Sequence, residues 1–156
     1  MTVQLDPKTR AFVLKVLDDA MDITVATKRT DGFPQATVVS FVHDGDKIYF
    51  GCDADSQKAK NIAHDNRVSV TATPPYSDWS HIRGISMGAR AVSVTDEKER
   101  FRVSELMMKR FPQAVEFVKD VDPDNMLLFR LDPEVISILD YAQGFGHTEL
   151  KTGLAA

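Results

Sequence analysis

Apolar positions Phe12, Val13, Val16, Leu17 and Ala20 recur at the three-and-four spacing of a single helix face. Asp6-Pro7 just before them supplies an N-cap followed by proline at the first helical position, so the pattern predicts an amphipathic helix lying on a core. The period then shortens. Residues 23–28 and 35–43 are rich in β-branched side chains and flank a turn over 29–33 that contains Asp31-Gly32, which predicts a hairpin. Asp44-Gly45-Asp46 turns the chain again into 47–51, so three antiparallel strands are expected in sequence. A helix opening at Ser56 places Ala59, Ile62 and Ala63 on its inner side. Residues 67–72 return as a strand of alternating Val68, Val70 and Ala72, stopped by Pro74-Pro75.

The second half continues in the same style. Residues 82–94 carry Ile85, Met87, Ala89, Ala91 and Val92 with Gly84 and Gly88 among them, which predicts a strand bent or bulged at the glycines. Thr95 is placed to cap a helix running through Arg110, with Phe101, Val103, Leu106, Met107 and Met108 on or near its apolar side. A shorter helical piece follows over 112–119, then strands over 126–131 and 135–139 separated by Asp132-Pro133, then a glycine-bearing irregular tail over 140–156. Many strands, few helices and no regular βαβ alternation predict a mostly β fold with peripheral helices, an α+β antiparallel barrel.

The chain of 156 residues reads as one domain without repeat or linker. A net charge of -4, with basic residues interleaved among acidic ones, argues against a nucleic-acid partner. The single Cys52 excludes an intrachain disulfide, and His43, His64, His81 and His147 show no metal-ligand spacing, so no metal site is expected. Charged residues every few positions through Asp19 predict no signal peptide, and no apolar run is long enough to span a bilayer. The cytoplasm is the expected compartment, and no membrane partner is expected.

Candidate chemistry concentrates at Ser56-Gln57-Lys58, where a helix start would offer a hydroxyl, an ammonium and unpaired backbone N–H groups to a phosphate. The competing reading makes Ser56 a plain cap and Lys58 a solvated side chain. Cys52 has no histidine positioned by sequence to activate it and reads as a packing residue. Trp79, His81 and Arg83 follow the Pro74-Pro75-Tyr76 loop; they either line a cleft wall or leave the indole plugging the barrel end. The tail from Asp140 to His147 holds two aromatics and two glycines, so Tyr141 or His147 is placed to contact a ligand there, or the tail is disordered.

The order of these motifs resembles the flavin-binding split barrels of the pyridoxamine 5'-phosphate oxidase family. The resemblance spans residues 23–94 and rests on Asp31-Gly32-Phe33-Pro34, Asp44-Gly45-Asp46 with Ile48-Tyr49-Phe50, Ser56-Gln57-Lys58-Ala59 with Asn61-Ile62, Asp65-Asn66-Arg67-Val68, Trp79 and Gly88-Ala89-Arg90-Ala91. It implies an antiparallel split β-barrel of the FMN-binding type, acting as an FMN-dependent oxidoreductase on a small-molecule substrate. It implies a homodimer with the cofactor at the subunit interface and its phosphate near Ser56, Gln57 and Lys58. The ring would lie along the second and third strands, with Thr37, Val38, Val39 and Ser40 on one and Gly51 and Cys52 on the other. Arg83 would approach it from the other subunit. No residue need act as a general acid or base, so catalytic residues are not assigned. The chain departs from the vitamin B6 oxidase proper: it has Thr37, Val42 and Gln57 where that enzyme has basic residues, and its substrate-gripping residues are not recognisable in 101–119 or 136–147. The family scaffold also carries the deazaflavin F420 or haem, so a deazaflavin reductase, a haem-binding or haem-degrading barrel and a non-catalytic flavin carrier are the alternatives.

Overall fold

The computed structural model describes residues 3–152. Helix α1 (Pro7–Asp19) starts as its sequence predicts, with the Asp6 carboxylate accepting from the backbone N–H groups of Lys8 and Thr9. Eight strands follow: β1 (Asp22–Lys28), β2 (Pro34–Ser40), β3 (Val42–Asp44), β4 (Lys47–Asp53), β5 (Arg67–Ala72), β6 (Arg83–Ser93), β7 (Met126–Asp140) and β8 (Thr148–Thr152). Helix α2 (Gln57–His64) joins β4 to β5, and α3 (Glu97–Arg110) and α4 (Ala114–Val118) lie between β6 and β7. All pairings are antiparallel, in the order β2-β1-β5-β6-β7-β4-β3, with β8 added to β7.

Closure follows from connectivity. Strands β2 and β3 sit at opposite ends of that order, yet only Phe41 separates them in the chain. The sheet must therefore curl until its two ends meet, and Phe41 is fully buried where they do. Along the sheet Ile23, Val25, Val70, Met87, Leu131 and Ile136 face one interior, which Val13, Val16 and Leu17 of α1 and Ala59 and Ile62 of α2 complete. A second cluster outside the barrel packs Val103 of α3 on Val42, Tyr49 and Val94. There the Tyr49 hydroxyl donates to Glu99 at 2.9 Å and Arg130 bridges Glu99 and Asp132. Burial, with the Glu99 carboxylate next, pushes the Tyr49 phenol up to about 12.

Several sequence expectations need correction. The strand expected over 35–43 is two strands, and β2 and β3 do not pair, because the buried Phe41 carries the chain across the split instead of through a turn. The two final strands are one, β7: Gly88 faces Val135 and Ala89 faces Pro133, so Glu134 is an extra residue and the proline, lacking an N–H, sits beside the irregular pairing. The bulge does fall at Gly88, as expected, while Gly84 serves close approach: a Cβ there would lie 3.0 Å from the Ala72 carbonyl oxygen. Asp96, not Thr95, caps α3, and Phe101 and Met108 are exposed. In α2 the buried residues are Ala59, Asn61 and Ile62, with Ala63 outside. The tail is not wholly irregular, since β8 lies on β7; residues 153–156 of that tail fall outside the described residues. Among the described residues no helix is long and apolar enough to cross a membrane.

Candidate functional site

Ser56 has extended backbone dihedrals and its hydroxyl accepts from the Ala59 N–H at 3.2 Å, so it caps α2 as the sequence predicts. A helix of 8 residues is marginal alone, and a buried asparagine anchors it. The Asn61 amide nitrogen donates to Thr27 Oγ1 at 2.9 Å and to Gln35 Oε1 at 3.0 Å, while its oxygen accepts from Gln57 Nε2 at 2.8 Å. The first turn of α2 is thereby tied to one end of the β1–β2 hairpin, where Thr27 and Gln35 are register partners. Lys58 is half-buried beside Ser56 and has no ion-pair partner among the described residues. No acidic residue lies in the first turn of α2, while Asp53 and Asp55 immediately precede its cap. Gln57 contributes its side chain to the anchor, leaving its backbone N–H for a ligand.

Two pleats along β2 from Gln35, Thr37 and Val39 turn inward opposite Val25 and Ile23, while Val38 and Ser40 face outward. The Thr37 hydroxyl oxygen is buried and has no hydrogen-bond partner, a situation that costs about 1–3 kcal/mol and that a bound polar group would relieve. Strand β2 pairs on one edge only, and β4 beyond Tyr49 pairs with β7 but not with β3. These two unpaired edges flank the split in the barrel. Gly51 and Cys52 lie on the second of them. Cys52 is 8 % exposed with its side chain in the core, and a Cβ at Gly51 would meet Met126 at an ordinary 3.5 Å, so neither position presents a polar side chain at this edge.

Arg83 lies elsewhere. Its neighbour Ile85 faces Ala72, and β5 runs back past Thr24, so Arg83 sits at the Asp22–Ser40 end of the sheet. A seven-residue strand, roughly 20 Å, separates that end from the Asn61 anchor. The structure therefore places Ser56, Gln57 and Lys58 at the Gln35 end of β2, Thr37 at the middle of the strand, and Arg83 at the other end with Ser40. Arg83 is ion-paired with Asp19 and lines a cleft of about 390 Å³ with Phe12, Tyr76, His81 and Asp140. Trp79 does not plug the barrel: it is 65 % exposed on a short 3₁₀ turn, Trp79–His81, capped by Asp78.

The Asp78 carboxylate accepts from the Ser80 hydroxyl, from His81 Nδ1 at 2.8 Å and from the Ser80 N–H at 2.9 Å. The Ser80 hydroxyl foremost, then His81, holds its carboxyl down at about 2 against an ordinary 3.8. A lowered carboxyl stabilises the turn above its ordinary value and ceases to do so as pH falls through the lowered one. Emission of Trp79, the only tryptophan, should therefore change between pH 3.8 and about 2, and that step should be missing in Asp78→Asn.

Asn61, Thr27 and Gln35 were not among the residues that sequence reasoning assigned to the site. The available signal was the Gln57–Asn61 spacing, which puts two amides on one helix face directed at the sheet.

The sequence profile described as pyridoxamine 5'-phosphate oxidase matches residues 7–140. No match to this chain is found among curated proteins. Solved structures share the fold. A heme binding protein from Mycobacterium smegmatis has a TM-score of 0.76 at 19% identity, covering 96% of this chain and 60% of its own. The conserved hypothetical protein Rv2991 from Mycobacterium tuberculosis has a TM-score of 0.72 at 24% identity over 99% of this chain and 96% of its own. An F420 reductase has a TM-score of 0.61 at 20% identity, covering 78% of this chain and 93% of its own.

Proposed function

This chain belongs to the pyridoxamine 5'-phosphate oxidase family, and from that premise we propose that it is a homodimeric FMN-dependent oxidoreductase acting on a small molecule other than pyridoxamine phosphate. The observation that carries the reading is the α2 start, capped by Ser56, charged by Lys58 and fixed to β2 through the buried Asn61. A phosphate would take the Lys58 ammonium and the open N–H groups of the first turn. Thr37 would gain the partner its hydroxyl lacks. The free edge of β2 over Thr37, Val38, Val39 and Ser40, with that of β4 over Gly51 and Cys52, would offer main-chain donors and acceptors from alternate residues to the polar edge of a ring. FMN, when bound, supplies hydride transfer at its N5, so the chain's own residues need only bind, orient and shield. Arg83 belongs to this site only if it comes from the second subunit, since within one chain it is a strand's length away.

The dimer face in this reading is the outer surface of the sheet. Val38 is 68 % exposed at one end of a row that continues through Thr24, Thr71 and Ser86, small side chains on which a second sheet can lie closely. Val38→Lys should convert the dimer to a monomer in light scattering behind a sizing column and release the flavin with it; an unchanged dimer would place the interface elsewhere.

A visible absorption spectrum of the purified protein, with fluorescence of the compound released by heat, tests the cofactor. The two bands of oxidised flavin with flavin fluorescence are the expected result. A sharp haem band, or a deazaflavin spectrum, would replace FMN by the ligand named for the M. smegmatis or the F420-reductase neighbour. A bound flavin that no nicotinamide donor reduces would make the protein a carrier.

A further inference from the structure

Beyond the Arg83 cleft, two short 3₁₀ turns, Trp79–His81 and Tyr141–Gln143, pack against each other. The Tyr141 N–H donates to the Ile82 carbonyl at 2.9 Å, which locks them together. Each turn is capped by an aspartate, Asp78 on one and Asp140 on the other. Three aromatic rings meet at their junction: Trp79 stacks on Phe145 with centroids 5.8 Å apart and planes 18° from parallel, and Phe145 meets Tyr141 edge-on at 5.3 Å. Trp79 and Phe145 are nonetheless 65 % and 79 % exposed, far from the usual burial of such a cluster. A cleft of about 220 Å³ opens among Trp79, Ser80, Tyr141 and Phe145, and it adjoins the larger cleft through the shared Ser80.

We propose that these turns form a clamp for a planar, positively charged aromatic ring, with Trp79 as its floor and Phe145 as its movable lid. The lid is hinged. Phe145 stands between Gly144 at φ 132 and Gly146 at φ 74, conformations that L side chains rarely adopt, so both flanking positions favour glycine and can swing the ring. Charge selects the ligand. The Arg83 guanidinium is taken up by Asp19 and the His81 ring nitrogen faces Asp78. Asp140 accepts only from neutral donors, the Ala142 N–H at 3.2 Å and Gln143 Nε2 at 2.9 Å, and has no ion-pair partner among the described residues. The exposed indole and benzyl faces, with the Asp140 carboxylate in the adjoining cleft beside an Arg83 whose charge Asp19 takes up, attract a cation and repel an anion. The binding claim stands apart from the flavin reading; only if that reading holds, with Arg83 reaching across the dimer, would the ligand be the flavin's reaction partner.

The sole tryptophan gives a direct test. In the full purified chain, labelled with ¹⁵N, the single indole N–H signal is followed while three probes of one shape are added: the N-methylnicotinamidium cation, neutral nicotinamide and anionic nicotinate. The expected result is a saturable shift with the cation bound about two- to fivefold more tightly than the neutral ring and the anion weakest. Phe145→Ala should weaken all three by about two- to tenfold. Asp140→Asn keeps an oxygen for the Ala142 N–H and should erase the preference for the cation while leaving nicotinamide binding intact. No saturable shift, a preference for nicotinate, or a cation preference that survives Asp140→Asn would each overturn the clamp. Flavin content, read separately from the visible bands, distinguishes failure here from failure of the cofactor reading.

Discussion

Asn61→Leu is expected to cost about 2–3 kcal/mol of stability, lower Tm by about 5–10 °C and empty the proposed FMN site. Leucine fills nearly the same space, so the loss comes from hydrogen bonds and not from a cavity. Three bonds disappear together, and their consequences differ. Gln57 is exposed and can turn to water; Gln35 is half-buried; Thr27 is 4 % exposed, and its hydroxyl is left with no partner in an apolar surround. Because Thr27 carries most of the penalty, the double substitution Asn61→Leu/Thr27→Val should be less destabilising than the two single losses added, a coupling that thermal melts of all four proteins measure. Strict additivity would show that the three groups do not act as a unit. Retention of full flavin occupancy in Asn61→Leu would show that the α2 start does not depend on its tie to β2.

Much of this molecule was legible in its sequence wherever a local rule decides the outcome. Asp6-Pro7 and Ser56 cap their helices as short-range chemistry dictates, Gly32 and Gly45 take the positive φ values that tight hairpin turns require, and β5 shows its alternation at Val68, Val70 and Ala72. Errors arose where distant pairing overrides the local pattern. Asp132-Pro133 reads as a break, yet β6 holds the chain extended past it because one irregular register absorbs the missing N–H. The run 35–43 is uniformly β-forming, and only closure of the sheet explains why it divides at Phe41. The candidate site divides in the same way. Ser56 and Lys58 were identifiable from spacing, but the role of Asn61 depends on Thr27 and Gln35, far back in the chain, and the separation of Arg83 from Ser56 depends on strand register. The Trp79–Phe145 pair joins segments that are distant in sequence, and no local pattern in either segment announces the other.

Lys58→Ala should weaken FMN by about 1–3 kcal/mol, a fall in affinity of roughly five- to 150-fold, with little change in Tm. The reasoning rests on what the side chain lacks as much as on what it reaches. Lys58 has no carboxylate partner among the described residues and no acidic neighbour in the first turn of α2, so removing its charge breaks no internal ion pair and leaves the Ser56 cap in place. Its contribution is thus expected in binding and not in folding. Titration of the flavin-free protein with FMN and with riboflavin separates the phosphate from the ring: Lys58→Ala should weaken FMN and leave riboflavin unaffected, because riboflavin has no phosphate for the ammonium to meet. Cys52→Ser should give the opposite signature, a lower Tm from a hydroxyl placed in the core and an unchanged FMN affinity, since the Cys52 side chain is packed in the core and the proposed site uses only its main chain. Equal loss of FMN and riboflavin in Lys58→Ala would mean that the lysine supports the ring or the fold, and an unchanged FMN affinity would remove the phosphate from α2 altogether.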